Sequence, residues 1–98
     1  MLVHTVYFWL KKDLTNDQRQ AFRKGVETLS DIRAVEAVYV GAPASTRRPV
    51  IDRTYDIGLT VLCKDIAAHD AYQVDPIHTA FVETYSSFWE RVVIYDAE

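Results

Sequence analysis

The chain has 98 residues, 49% of them hydrophobic and 26% charged, with a formal net charge of −3. That length holds one domain with a modest core, and the balance is that of a folded globular protein. No basic stripe or aromatic–basic interleaving offers a nucleic-acid surface, and no apolar run is long enough to span a bilayer.

Leu2 to Leu10 (LVHTVYFWL) is rich in β-branched and aromatic residues and reads as a strand rather than a signal peptide. Asn16 to Ser30 reads as a helix capped by Thr15 or Asn16, with Leu14, Phe22, Val26 and Leu29 near one face and Gly25 weakening it slightly. Arg33 to Gly41 reads as a second strand. Ala42 to Asp52, with Pro43, Pro49, Arg47 and Arg48, reads as a loop. Thr54 to Lys64 is a third strand, where Gly58 marks a bulge or a close approach. It contains the single cysteine, Cys63, which excludes an intrachain disulfide and reads as an inert buried thiol in a reducing, cytoplasmic compartment.

Ile66 to Gln73 reads as a short helix. Asp75-Pro76 is a helix-start signal, with Asp as N-cap and Pro at the first helical position, and a second helix runs from Ile77 to about Ser87. Glu90 to Asp96 is the last strand. The order β-α-β-β-α-β predicts an α+β, ferredoxin-like domain with a four-stranded antiparallel sheet over residues 1–98.

Helices on one face of that sheet leave the other face bare, carrying Tyr7, Trp9, Val93 and Tyr95. An apolar sheet face of that size is normally an interface, so the expectation is a homodimer with its sheets face to face, closing a barrel. His4, Val6, Phe8, Leu59, Val92 and Ile94 belong to the helix-covered face. Phe22, Val26, Tyr72, Phe81, Tyr85 and Trp89 are candidates to pack over it, as a solid core or around an apolar pocket with a few polar groups.

Tyr72 precedes the Asp75-Pro76 break and His78 follows it. A histidine in a first helical turn feels the positive dipole end, which lowers its pKa. A neutral imidazole can act as a base, and a tyrosine can donate a hydrogen bond to a carbonyl. The residues alone leave this reading open beside another, an ordinary helix break with two amphipathic core-edge residues. His4, His69 and His78 are scattered along the chain, without a two-histidine helical spacing or a carboxylate cluster, so no metal site is expected. No phosphate loop or nucleophile elbow is present, and no cofactor is implied.

Four segments carry a resemblance: VHTVYFWLK, TYDIGLTVLCKD, AYQVDPIHTAFV and VVIYD, with Tyr-x-x-x-Pro-x-His-x-x-Phe the most specific pattern. Together they resemble the stress-responsive dimeric A/B barrel family, in the right order and over nearly the whole chain. The resemblance implies a ferredoxin-like protomer that dimerises sheet to sheet and binds a small apolar carbonyl compound. YSSFWERVVIYD is similar to the family's cofactor-free polyketide cyclase, whose catalytic tyrosine and histidine match Tyr72 and His78. The match implies His4 as a pocket histidine, and Val6, Phe8, Phe22, Leu59, Phe81, Trp89, Val92 and Ile94 as pocket-lining. Departures fall on Ile57, where that enzyme carries a histidine, on Ala80 and Val82, where it carries glycines, and on Arg23, where it carries an aromatic. The implied functions are therefore ligand binding, cyclase or lyase chemistry through Tyr72 and His78, or, by fold analogy alone, a monooxygenase.

Overall fold

The computed structural model describes all residues 1–98. The sheet is antiparallel, in the order β2-β3-β1-β4: β1 (Leu2–Leu10), β2 (Ala37–Gly41), β3 (Ile57–Cys63) and β4 (Trp89–Ala97). Three helices, α1 (Asn16–Glu27), α2 (Ile66–Val74) and α3 (Pro76–Tyr85), complete the ferredoxin-like arrangement.

The period-2 pattern of β1 decides the core. Leu2, His4, Val6, Phe8 and Leu10 are buried, whereas Val3, Thr5, Tyr7 and Trp9 are only half-buried. Ile57, Leu59, Val61 and Cys63 continue the buried face on β3, in register with it: Val6 opposite Leu59, Phe8 opposite Ile57. Burial pushes the Cys63 thiol up, which suits the inert role its apolar surroundings suggest.

α1 begins where Thr15 and Gln18 form a capping box, the Thr15 hydroxyl accepting from the Gln18 amide and the Gln18 side chain accepting from the Thr15 amide. The helix is shorter than the sequence pattern suggests. The Thr28 hydroxyl donates to the Gly25 carbonyl at 2.6 Å, and Thr28–Asp31 tightens into a 3-10 turn that seats Leu29 in the core. Strands β2 and β3 also start later than expected. Ahead of β3, the Asp52 carboxylate accepts from both the amide and the hydroxyl of Thr54 and holds a turn. The Asp56 carboxylate then accepts from the Leu10 amide at 2.7 Å, tying this connection to the end of β1.

The uncovered face brings Tyr7, Trp9, Val93 and Tyr95 together with Tyr55 around a groove of about 330 Å³. Tyr95 remains 63% exposed. Tyr7 meets Tyr55 edge-to-face at 4.9 Å, and the Arg91 guanidinium lies 4.3 Å from the centre of the Trp9 ring. Gly58 is a close approach: a Cβ there would sit 3.3 Å from the Tyr7 ring. The irregularity in strand pairing lies elsewhere, between Trp9 and Leu10.

Gly25 has a stronger reason than its helix propensity suggests. A Cβ there would come within 2.4 Å of the Tyr85 ring, which itself packs on Phe22, Phe81 and Phe88. Gly25→Ala should therefore destabilise the fold by about 1–3 kcal/mol through overpacking, outweighing the roughly 1 kcal/mol gained in helix propensity. Urea denaturation of the two proteins measures the sign.

Candidate functional site

Between the helices and the sheet lies a cavity of about 140 Å³. Its floor is His4, Val6 and Phe8 from β1 with Leu59 from β3. Its sides are Trp89, Val92 and Ile94 from β4, Leu29, and the helical residues Tyr72, Gln73, His78, Phe81 and Val82. β4 is an edge strand that no helix fully covers, so Val92 and Ile94 stay 38% and 51% exposed and, with Val82, mark the mouth. Larger depressions lie on the open sheet face and beside Arg47, Arg48 and Arg53, but neither contains Tyr72, His4 or His78. Those arginines line no part of this cavity.

Phe22 is not at the cavity wall. It is fully buried behind it, with ring centres 5.2 Å from Phe8 and 5.8 Å from Phe81, and so supports the wall rather than touching its contents. Leu29 and Gln73 line the cavity without having been assigned to its wall from the sequence, and Val82 lines it at one of the two positions where the resemblance puts a pocket glycine. Leu29, on the same predicted face as Phe22 and Val26, reaches it from the 3-10 turn that follows α1. Of the four departures from the cyclase pattern, only Val82 is at the wall. Ile57 is in the core, Ala80 faces the outer surface near Gly25, and Arg23 extends to the Val40 carbonyl.

The Asp75-Pro76 break builds the chemical end of the cavity. The Asp75 amide donates to the Tyr72 carbonyl and ends α2; its carboxylate accepts from the Ile77 amide and starts α3. The Tyr72 and His78 rings meet edge-to-face across the break, 4.9 Å apart. Tyr72 is 1% exposed, and burial first, then the nearby Cys63, pushes its phenol well above the usual range. It is therefore protonated throughout the physiological range and available as a donor. Every sealed side-chain polar atom in the chain has a partner, whereas the Tyr72 hydroxyl has none in the chain, so it is open to the cavity. His78 is held below its usual pKa. The main cause is burial, followed by His4; Asp75 opposes and His69 adds to the lowering. The direction is the one expected from a first-turn histidine, but burial dominates it.

The histidines that look scattered in the sequence are gathered here. His4, 2% exposed, stands 5.7 Å from Tyr72 and 5.0 Å from His69 between ring centres. Its Nδ1 donates to the Asp96 carboxylate, 2.5 Å away and directly across the β1–β4 pairing. The contact is to a carboxylate, not to the backbone carbonyl that a core-edge histidine would use.

A four-stranded antiparallel sheet with a helical layer on one face, an apolar second face and a cavity at the helix break defines a ferredoxin-like domain of the A/B barrel type. The chain belongs to the Dabb, or Stress responsive A/B Barrel Domain, family, whose profile matches residues 2–98. It is similar to the olivetolic acid cyclase of Cannabis sativa, 27% identical over 95% of this chain and 91% of that one. Among solved structures, it is similar to a Dabb family protein with a ferredoxin-like fold from Mesorhizobium loti (28% identity, TM-score 0.79, 99% and 94% of the two chains). A dimeric ferredoxin-like protein of unknown function from Thermobifida fusca shares the fold (18% identity, TM-score 0.79, 98% and 88%). No helix is long and apolar enough to cross a membrane.

The depressed His78 pKa has a consequence for stability. Below about pH 6.5 the unfolded chain binds a proton at this residue that the folded chain resists. Stability is therefore lost as pH falls through the unfolded value, and the loss from this group stops once pH passes below the folded one. His78→Gln should flatten the decline in melting temperature between about pH 7 and pH 5 relative to the parent protein.

Proposed function

We propose that this protein is a homodimer whose cavity binds a small apolar carbonyl compound and moves a proton at the carbon beside the carbonyl without a cofactor. The observation that carries the reading is the pairing at the cavity wall of a protonated, unpartnered Tyr72 hydroxyl with His78, a base kept neutral by burial. His78 takes the proton from carbon; the C–H electron pair moves into the enolate; Tyr72 donates a hydrogen bond to the enolate oxygen as charge develops there. His4, held by Asp96, orients the polar end of the ligand. The enolate then attacks a second carbonyl of the same molecule, whose oxygen becomes an alkoxide and takes the proton back from His78, a cyclase outcome, or the enolate regains its proton at carbon. The likeness to olivetolic acid cyclase supports this class of chemistry. The volume of 140 Å³ is below the roughly 300–1,000 Å³ of drug-sized sites, which favours a compact ligand.

Proton exchange in D₂O at the α-carbon of short-chain β-diketones and β-keto esters, followed by NMR, tests the chemistry. His78→Ala should slow exchange by about 10²–10⁴-fold and Tyr72→Phe by about 10²-fold. Exchange that survives both substitutions, or no exchange with any such compound, leaves a binding protein without chemistry and overturns the proposal.

The homodimer is supported by the apolar open face and by a fold relative described as dimeric. Sedimentation should give twice the 11.3 kDa protomer mass. Trp9→Glu combined with Tyr95→Lys, both on that face, should yield a folded monomer. A monomeric parent protein would refute the assembly.

A further inference from the structure

Next to the cavity, three elements converge on a set of side chains of which the acid/base reading uses only His4, to orient the ligand, and Asp96, to hold it. His4 on β1, His69 on α2 and Asp96 on β4 each bring one nitrogen or carboxylate oxygen within 4.8 Å of the other two. His4 Nδ1 is 2.5 Å from Asp96 Oδ1, and His69 Nε2 is 3.9 Å from Asp96 Oδ2. We propose that His4, His69 and Asp96 form a binding site for a divalent first-row transition cation, with Zn²⁺ the best match.

The donor set gives the class of ion. Two imidazoles and one carboxylate suit Zn²⁺ and its first-row neighbours, whereas Mg²⁺ and Ca²⁺ prefer all-oxygen ligands. Donors about 2.0–2.2 Å from a tetrahedral ion stand roughly 3.3–3.5 Å from each other. The His4–Asp96 contact would open by about an ångström, and the widest separation between donors, up to 4.8 Å, would close by up to about 1.4 Å. Both are side-chain movements on an otherwise fixed backbone.

Two further observations fit a metal ligand better than a core histidine. The second ring nitrogen of His69, Nδ1, lies 3.2 Å from the Asp70 carboxylate. That carboxylate–histidine contact is the usual means of fixing the tautomer and orientation of a metal-ligating imidazole; Nε2 then lies 3.9 Å from Asp96 Oδ2 and 3.3 Å from the Gln73 side-chain amide, a contact that an ion would displace. There is also a way in. A surface depression of about 280 Å³, lined by His69, Asp70 and Asp96 with Leu2 and Ile66 beside them, reaches the cluster from solvent. His4, whose side chain is 3% exposed, does not line this depression and is reached only past Asp96; His69 and Asp96, with side chains 17% and 42% exposed, line it. Three protein ligands with one open side leave a fourth position for water. Occupancy would replace the His4–Asp96 hydrogen bond by coordination of both residues and hold His4 at the cavity wall.

The proposal is independent of turnover and is tested on the full chain with any purification tag removed and metal stripped by chelator. Titration with CoCl₂ should give one equivalent of bound ion with visible ligand-field bands, displaced by ZnCl₂. His69→Gln should weaken Zn²⁺ binding by at least tenfold, and Asp70→Asn, which touches no ion, by about tenfold or more. His78→Gln removes a histidine outside the cluster and should leave the affinity unchanged. In the parent protein, imidazole ¹⁵N resonances of His4 and His69 should shift on adding Zn²⁺ and those of His78 should not, a readout that needs no variant to fold. Absence of one-equivalent binding, equal affinity in His69→Gln, or shifts confined to other groups would overturn the site.

Discussion

The register of β1 is the constraint on which the rest depends. It is paired on both sides, with β3 and with β4, and a slip of one residue would exchange its two faces. In the observed register His4, Val6 and Phe8 face the helices, and Tyr7 and Trp9 face outward. One alternation thus supplies the floor of an internal cavity and half of an external apolar face. It also sets His4 directly opposite Asp96, so the buried imidazole meets a carboxylate rather than an unsatisfied interior.

The second constraint is the break at Asp75-Pro76. In a continuous helix, residues six apart point about 120° away from each other, so Tyr72 and His78 would serve different surfaces. Pro76 cannot donate the amide such a helix needs, and Asp75 both ends α2 and caps α3. The resulting corner turns both rings into one space, 4.9 Å apart. A feature whose local role is ordinary capping therefore places the two side chains.

The architecture was legible because its signals are local. Strand alternation, the Thr15 cap, the Asp75-Pro76 start and the turn formers between β2 and β3 each act within a few residues. The apolar outer face follows from the same alternation. What the sequence hid depends on three-dimensional approach. Gly25 looked like a weak helix residue because the Tyr85 ring that requires it is sixty positions away. Phe22 and Leu29, predicted on one helical face, are both buried, but only Leu29, in the 3-10 turn after α1, reaches the cavity wall. His4, His69 and Asp96 show no ligand spacing along the chain because β1, α2 and β4 bring them together only when the sheet forms.

The cavity is the place where the family pattern and this chain diverge. The resemblance puts glycines at positions 80 and 82, but only the Val82 side chain reaches the wall, while Ala80 lies on the outer surface. Valine at the mouth takes volume from the end where Val92 and Ile94 are exposed, and leaves untouched the end where Tyr72, His78 and His4 meet. Under the proposed function, divergence at the apolar mouth would change which ligand is accommodated, whereas the polar end would determine what can be done to it. The same separation holds on the larger scale. The apolar outer face lies across the sheet from the cavity, so the proposed assembly and the proposed chemistry would draw on opposite sides of the same four strands.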